Sequence, residues 1–191
     1  MRRQSDNYYV ERIRSGETDC FAPLLERYGK QVFSLVVKIV ENREDAEELA
    51  QDVFMKAFRS ISAFRGDSSF STWLYRIAYN MAVSATRKAG VMYVPVDDEM
   101  MERTADEPED DFDGEADSPA RLECLNCALN SLPPEDRAMI TLFYREDRSM
   151  GEIAVITGLS ETNVKTRIFR IRKKLFVLIK EMERKKNGTD G

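Results

Sequence analysis

The sequence predicts an all-α protein built as two small helical domains joined by an acidic flexible linker, the second domain a helix-turn-helix. Three observations predict it. Apolar residues recur with the 3.6-residue period of an amphipathic helix in both halves of the chain. No period-two run of β-branched residues, the mark of a half-buried strand, occurs in the 191 residues. Between the halves, residues 97–119 carry Pro108, Gly114 and Pro119 among closely spaced acids and few apolar side chains. That composition favours an extended, self-repelling chain. The boundaries follow as 1–90, 91–118 and 119–187.

In the first domain Thr18 is the expected cap of a helix whose apolar stripe is Phe21, Leu24, Leu25, Tyr28, Val32, Leu35, Val36 and Ile39. Asn42 is the expected cap of a second helix. Its first turn, Arg43-Glu-Asp-Ala-Glu-Glu, places acids at the positive end of the helix dipole. The apolar face there runs Ala46, Leu49, Ala50, Val53, Phe54, Ala57, Phe58. Phe64-Arg-Gly-Asp-Ser-Ser-Phe-Ser breaks the period as a loop, and Ser71 or Thr72 caps a third helix through Trp73, Leu74, Ile77, Ala78 and Met81. In the second domain helices are expected over about 120–131, over 135–144 after Pro134, from Ser149 to Thr157, and from Ser160 to about Lys186.

The net charge of −5 is unevenly distributed. Residues 1–90 hold 14 Lys/Arg against 12 Asp/Glu, residues 91–117 hold 1 against 12, and residues 118–191 hold 14 against 10. One acidic segment therefore masks two mildly basic flanks, so the whole-chain charge does not argue against a nucleic-acid partner. The linker reads foremost as a solvated tether, with nucleic-acid mimicry in a basic channel as the competing role. The absence of histidine removes the commonest general base and metal ligand, which lowers the prior for an enzyme. No stretch is apolar and long enough to span a bilayer, and no apolar run follows Arg2 and Arg3 as a signal peptide requires. With three cysteines, the expected setting is a reducing cytoplasm. No cofactor, metal or membrane anchor is expected.

The segment from Ser149 to Arg170 fits a helix-turn-helix at each position that matters. Ala154 is small where two helices cross, and Gly158 suits the positive φ of the tight turn. Ile153, Leu159, Val164 and Ile168 close the core. Ser160 caps the second helix, which presents Lys165, Thr166, Arg167, Phe169, Arg170, Arg172, Lys173 and Lys174, groups suited to phosphates and guanine edges. The expected groove contacts are Thr162, Lys165, Thr166, Phe169, Arg170 and, toward phosphate, Lys173. Cys124 and Cys127 form a CxxC, but Leu122, Leu125, Leu129 and Leu132 surround it with helical spacing and no further ligands lie near. They read as ordinary helix residues.

A helix-turn-helix alone fits many regulators. The first domain decides. Asp45-Ala-Glu-Glu-Leu-Ala-Gln-Asp-Val-Phe-Met-Lys-Ala-Phe-Arg-Ser, then Phe64-Arg-Gly-Asp-Ser-Ser-Phe-Ser-Thr-Trp-Leu-Tyr-Arg-Ile-Ala-Tyr-Asn, closely resembles the extracytoplasmic-function sigma factors of the sigma-70 family. Val164-Lys-Thr-Arg-Ile-Phe-Arg resembles their second domain. The resemblance implies a transcription initiation factor and no catalytic activity. Its partners are core RNA polymerase (the largest and second-largest subunits), promoter DNA and an anti-sigma factor. It implies docking on the clamp helices of the largest subunit through the acidic second helix, with Glu48, Leu49, Gln51, Asp52 and Met55 in contact. It also implies that the following loop and helix melt and read the downstream promoter element. Capturing an unstacked base needs aromatic and cationic groups together. Phe64, Arg65, Ser68, Ser69, Phe70, Ser71, Arg76 and Asn80 are the residues so assigned, with Trp73 expected to be packed and Arg87 and Lys88 adding charge. The alternative is a two-domain helix-turn-helix regulator that acts without docking on the polymerase core.

Overall fold

In the computed structural model the described residues are 4–88 and 119–187. A short helix α1 (Asp6–Arg14) opens the chain, capped by Ser5, whose hydroxyl accepts the Tyr8 amide at 3.3 Å. Its Asp6 pairs with Arg27 and accepts the Tyr28 hydroxyl at 2.5 Å. Only Val10 and Ile13 of α1 are fully buried, too few to raise a periodic signal in the sequence.

Thr18 caps nothing. It begins a 3-10 turn, Thr18–Phe21, and helix α2 (Ala22–Val40) starts after it with Pro23 in the first turn, where no amide is needed. Leu24, Val32, Leu35, Val36 and Ile39 are buried as the period requires. Leu25 is 45% exposed, because it sits about 100° around the helix from Leu24. Asn42 caps α3 (Arg43–Arg59) as expected, its side-chain oxygen accepting the amides of Glu44 at 2.8 Å and Asp45 at 3.2 Å. Helix α4 (Phe70–Lys88) starts two residues earlier than the Ser71 cap requires. Its cap is Ser69, whose Oγ accepts the Thr72 amide at 3.1 Å. Ser71 and Thr72 lie inside the first turn and are buried.

The second half holds α5 (Pro119–Asn130), α6 (Pro134–Ile140), α7 (Met150–Thr157) and α8 (Glu161–Asn187). The helix expected over 135–144 changes character at Thr141, where a π-helical turn runs to Arg145. Ser149 and Glu152 form a reciprocal capping box at the start of α7, and Gly158 closes that helix at φ 77°. The Ser160 hydroxyl accepts the Asn163 amide at 3.2 Å and so caps α8. In α5 Cys124 is buried and Cys127 exposed, both as free thiols.

Helices α2, α3 and α4 pack as one bundle, and α5, α6 and α7 each pack against α8. The two units also meet: α4 lies against α7, and α2 against α6, so the buried apolar residues form one continuous cluster. The acidic linker expected over 91–118 lies outside the described residues. No helix among the described residues is long and apolar enough to cross a membrane.

The caps make a direct test. Asn42→Ala is expected to lower stability by about 1 kcal/mol, the usual value of a side-chain cap. Thr18→Ala should stay within about 0.5 kcal/mol of the parent. Chemical denaturation of both variants checks the difference.

Candidate functional site

Three surfaces carry the residues singled out in the sequence. On α3, burial of Ala46, Ala50, Val53, Phe54 and Ala57 turns the opposite side to solvent. Glu48, Gln51 and Asp52 are exposed there, and Met55 is half-exposed at 50% although apolar. Leu49 is half-buried at the edge and packs on the core. The spacing 48, 51, 52, 55 makes one face, acidic with a single apolar side chain at its end.

The second surface is the loop after Phe64 with α4. Here three assignments need correction. Phe64 and Phe70 are core residues, 4% and 1% exposed. Their rings stack edge-to-face at 5.9 Å, and Trp73 lies 5.4 Å from Phe64 and 5.8 Å from Phe70. Tyr28 completes the cluster 5.9 Å from Phe70. Burying large rings stabilises by more than exposure to a transient base can recover, so these aromatics hold the loop in place and do not offer it a stacking face. What the loop presents is Arg65, Asp67 and Ser69, with Ser68 half-buried. Ser71, also assigned to DNA, is buried and accepts Arg148 Nη1 at 3.1 Å. On α4 itself Arg76 and Asn80 are exposed, and Ser84 and Lys88 continue the stripe at four-residue intervals. Ser84 is a member of this face that the sequence reading missed; its i+4 spacing from Asn80 was the available signal.

The third surface is the helix-turn-helix. Ile153, Val164 and Ile168 are buried, Ala154 and Leu159 pack on the core, and the α8 face between them is set by geometry. Thr162, Lys165, Thr166 and Arg170 are exposed, and Phe169 is 41% exposed. Thr166 donates its hydroxyl to the Thr162 carbonyl at 3.0 Å. Lys173 lies over the Phe169 ring at 5.1 Å, extending the basic character of the stripe by one turn. Arg167 leaves this set. Its Nε donates to Asp136 at 2.6 Å and its Nη2 to Glu135 at 3.2 Å, so it ties α8 to α6 and does not face outward.

Polar contacts between the two units were not legible in the sequence. Glu135 takes Arg87 of α4 as well as Arg167. Burial opposes its charge, yet the two guanidinium groups hold its carboxyl below the usual range. Arg137, 1% exposed, pairs with Glu41, which ends α2 at φ 67°. The Tyr75 hydroxyl, buried in α4, donates to Glu146 at 2.7 Å, and the Arg148 guanidinium lies 4.7 Å over the Tyr75 ring. Burial first, then the Glu146 carboxylate, pushes the Tyr75 hydroxyl well above its ordinary value. Among the described residues no group of three His, Cys, Asp or Glu side chains could hold a metal ion.

Residues 24–91 match sigma-70 region 2, and residues 122–175 match sigma-70 region 4. The RNA polymerase sigma-H factor of Pseudomonas aeruginosa is 32% identical over 180 residues, covering 90% of this chain and 92% of that protein. The ECF RNA polymerase sigma-E factor of Haemophilus influenzae is 34% identical, over 88% of this chain and 92% of the relative. Among solved structures, the sigma factor RpoE of Bartonella quintana, crystallised with the anti-sigma factor NepR, is 27% identical with a TM-score of 0.62, over 84% of this chain and 96% of that one. CnrH in complex with the cytosolic domain of CnrY shares the fold at 24% identity and a TM-score of 0.67, over 93% of this chain and 99% of CnrH. Two region matches in order, and relatives aligned over nearly their full length, place the chain in the extracytoplasmic-function group of the sigma-70 family, the transcription initiation factors that bind core RNA polymerase and direct it to promoter DNA.

Proposed function

We propose that the three surfaces divide the work of initiation. The exposed α3 face of Glu48, Gln51, Asp52 and Met55, edged by Leu49, docks on the clamp helices of the polymerase largest subunit, and the full core contact extends to the second-largest. The loop residues Arg65, Ser68 and Ser69 and the α4 stripe of Arg76, Asn80 and Ser84 receive the downstream promoter strand. The exposed α8 face reads the upstream element in the major groove. The observation that carries this division is the opposition of two exposed faces on one chain: α3 presents carboxylates, and α8 presents lysine and arginine. An acidic face suits a basic protein groove and repels DNA, while a basic helix following a capped turn suits phosphates and base edges.

The chain works by binding and placement, with no catalytic step of its own. The relative from Bartonella quintana is held by an anti-sigma factor, and we extend that control to this chain, acting in the cytoplasm. With Phe64 and Phe70 in the core, strand capture rests on hydrogen-bonding and cationic groups around a rigid loop. Trp73 is half-buried beside them.

Two outcomes test the division. Asp52→Arg should weaken binding to core polymerase about tenfold, close to 1.4 kcal/mol, with helical content unchanged because the side chain is exposed. Unchanged affinity in a titration of labelled factor with core would remove α3 from the interface. Arg170→Ala should cost about 1–3 kcal/mol and relax preference at particular upstream positions, whereas Lys174→Ala should weaken all sequences alike and flatten the salt dependence. The full chain bound to core, titrated with single-base promoter variants across a salt series, separates these effects. Arg167→Ala serves as the contrast: it should lower thermal stability through the loss of its α6 partners and leave base preference intact.

A further inference from the structure

Helix α1 takes no part in the three surfaces, yet one of its side chains crosses to the loop after Phe64. Arg14, in the last turn of α1, donates from Nη2 to the Phe64 carbonyl and, at 3.4 Å, to the Ile61 carbonyl. Its Nη1 donates to Glu11 at 2.9 Å, one turn back on the same helix. The two carbonyls lie where α3 ends. The chain passes from Ser60 into a 3-10 turn, Ile61–Ala63, against which α1 packs, and Phe64 leaves that turn in extended backbone at φ −69° and ψ 111°. The Ile61 carbonyl already accepts the Phe64 amide at 3.2 Å, whereas no backbone amide among the described residues donates to the Phe64 carbonyl. Carbonyls at a helix end lack intrahelical donors, and a guanidinium there supplies both the hydrogen bond and a charge suited to the negative end of the dipole.

Phe64 is therefore held twice. Its ring is buried, 5.9 Å from Phe70 and 5.4 Å from Trp73, and its carbonyl is taken by Arg14. A fixed carbonyl fixes the plane of the peptide joining Phe64 to Arg65, because that peptide does not rotate about its C–N bond. The direction in which Arg65 leaves the body is set there. Gly66 then turns the chain at φ 81°, and Ser69 caps α4 on the far side. Only Arg65, Gly66, Asp67 and Ser68 lie between these anchors, and without the Arg14 contact the glycine leaves them free to swing. The base from which Arg14 reaches is fastened by other contacts: Val10 and Ile13 are buried, and Asp6 pairs with Arg27. The Arg14 side chain itself is partly exposed, so it can be replaced without opening a core.

We propose that Arg14 is a positioning residue for capture of the downstream promoter strand: from α1 it clamps the Phe64 carbonyl, sets the course of the loop over residues 65–68 and holds Arg65 ready before DNA arrives. This rests on the reading of that loop as part of the strand-binding surface. An ordered loop meets the strand without first giving up conformational freedom. Removing the clamp raises the cost of capture and leaves the contacts with polymerase and with the upstream duplex untouched. A lysine in its place keeps the charge and a donor but loses the rigid fork that spans both carbonyls.

The test uses the full chain bound to core polymerase and two DNA probes from one promoter on which the pair starts transcription. One is a duplex of the upstream element alone, and the other is a longer fragment left single-stranded across the downstream element. Trp73, the one tryptophan of the chain, lies against Phe64 and reports the order of the loop through acrylamide quenching of the free chain. Arg14→Ala is expected to lower affinity for the single-stranded probe about fivefold and to make Trp73 more readily quenched, with core and upstream-duplex affinity unchanged. Arg14→Lys should lose less in both readouts, and it guards against misfolding of the alanine variant. An equal loss on both probes would reduce Arg14 to a purely structural role and overturn the proposal. A loss on the single-stranded probe with Trp73 quenching unchanged would overturn it too, because Arg14 would then act by a route other than the loop. Unchanged affinity for the single-stranded probe is the third contrary result, and Arg65→Ala shows what has failed. If Arg65→Ala weakens binding of that probe, the loop binds the strand and only the role of Arg14 is lost; if it does not, the assignment of the loop has failed as well.

Discussion

Everything in this structure depends on α4 being buried from two directions. Ten of its nineteen residues are buried, including Phe70, Leu74, Tyr75, Ala78, Tyr79, Ala82 and Val83. One side packs on α2 and α3, and another meets α7 and α6. A helix so enclosed has a single narrow stripe left for a partner, running from Trp73 through Arg76 and Asn80 to Ser84 and Lys88. The apolar contacts on the first side fix where that stripe points. The contacts on the second side are mixed, with Tyr75, Ser71, Thr72 and Arg87 bonded to side chains of the second unit. Tyr75, Ser71 and Thr72 are buried, so these bonds satisfy polar groups that would otherwise be left unpaired in the interior, and only Arg87 is open to water.

Charge is arranged to match. The chain carries more acid than base, yet its acids are sorted by role. Those on α3 face solvent. Those at Glu135 and Glu152 lie in the seam and neutralise arginines or helix ends, and Glu146 accepts the Tyr75 hydroxyl there. A run of twelve more falls within 91–117. The α8 stripe is left basic because the α6 acids take Arg167 and no acid of α6 takes Lys165 or Arg170 in the contacts described. On this single basic helix one arginine holds the domain together and its neighbours Lys165 and Arg170 stay exposed.

Much of this was legible in the sequence, and the failures have physical causes. Asn42, Ser149, Gly158 and Ser160 were correctly read because caps and left-handed turns depend on local chain chemistry. The exposure of Glu48, Gln51, Asp52 and Met55 on one side of α3, and of Thr162, Lys165, Thr166 and Arg170 on α8, agrees with the helical period of the buried residues opposite. Local pattern could not choose between adjacent serines, and it named Ser71 or Thr72 where Ser69 caps α4. It could not tell an aromatic that anchors a loop from one that faces a ligand, so Phe64 and Phe70 were misplaced; both types look alike until long-range packing is known. Thr18 was misread because a 3-10 turn precedes the true helix start, and Leu25 because it sits about 100° around α2 from the buried Leu24. The seam between the units was invisible for the same reason: Tyr75 and Glu146, Glu41 and Arg137 are partners across 71 and 96 residues.

The central claim, that this chain gives core polymerase its promoter choice, is most directly tested by transcription from fragmented genomic DNA with purified core polymerase, with and without the chain, followed by mapping of the RNA 5′ ends. The account predicts a set of start sites that appear only when the chain is present, preceded by two shared sequence elements at a fixed separation. Start sites identical with and without the chain would contradict it.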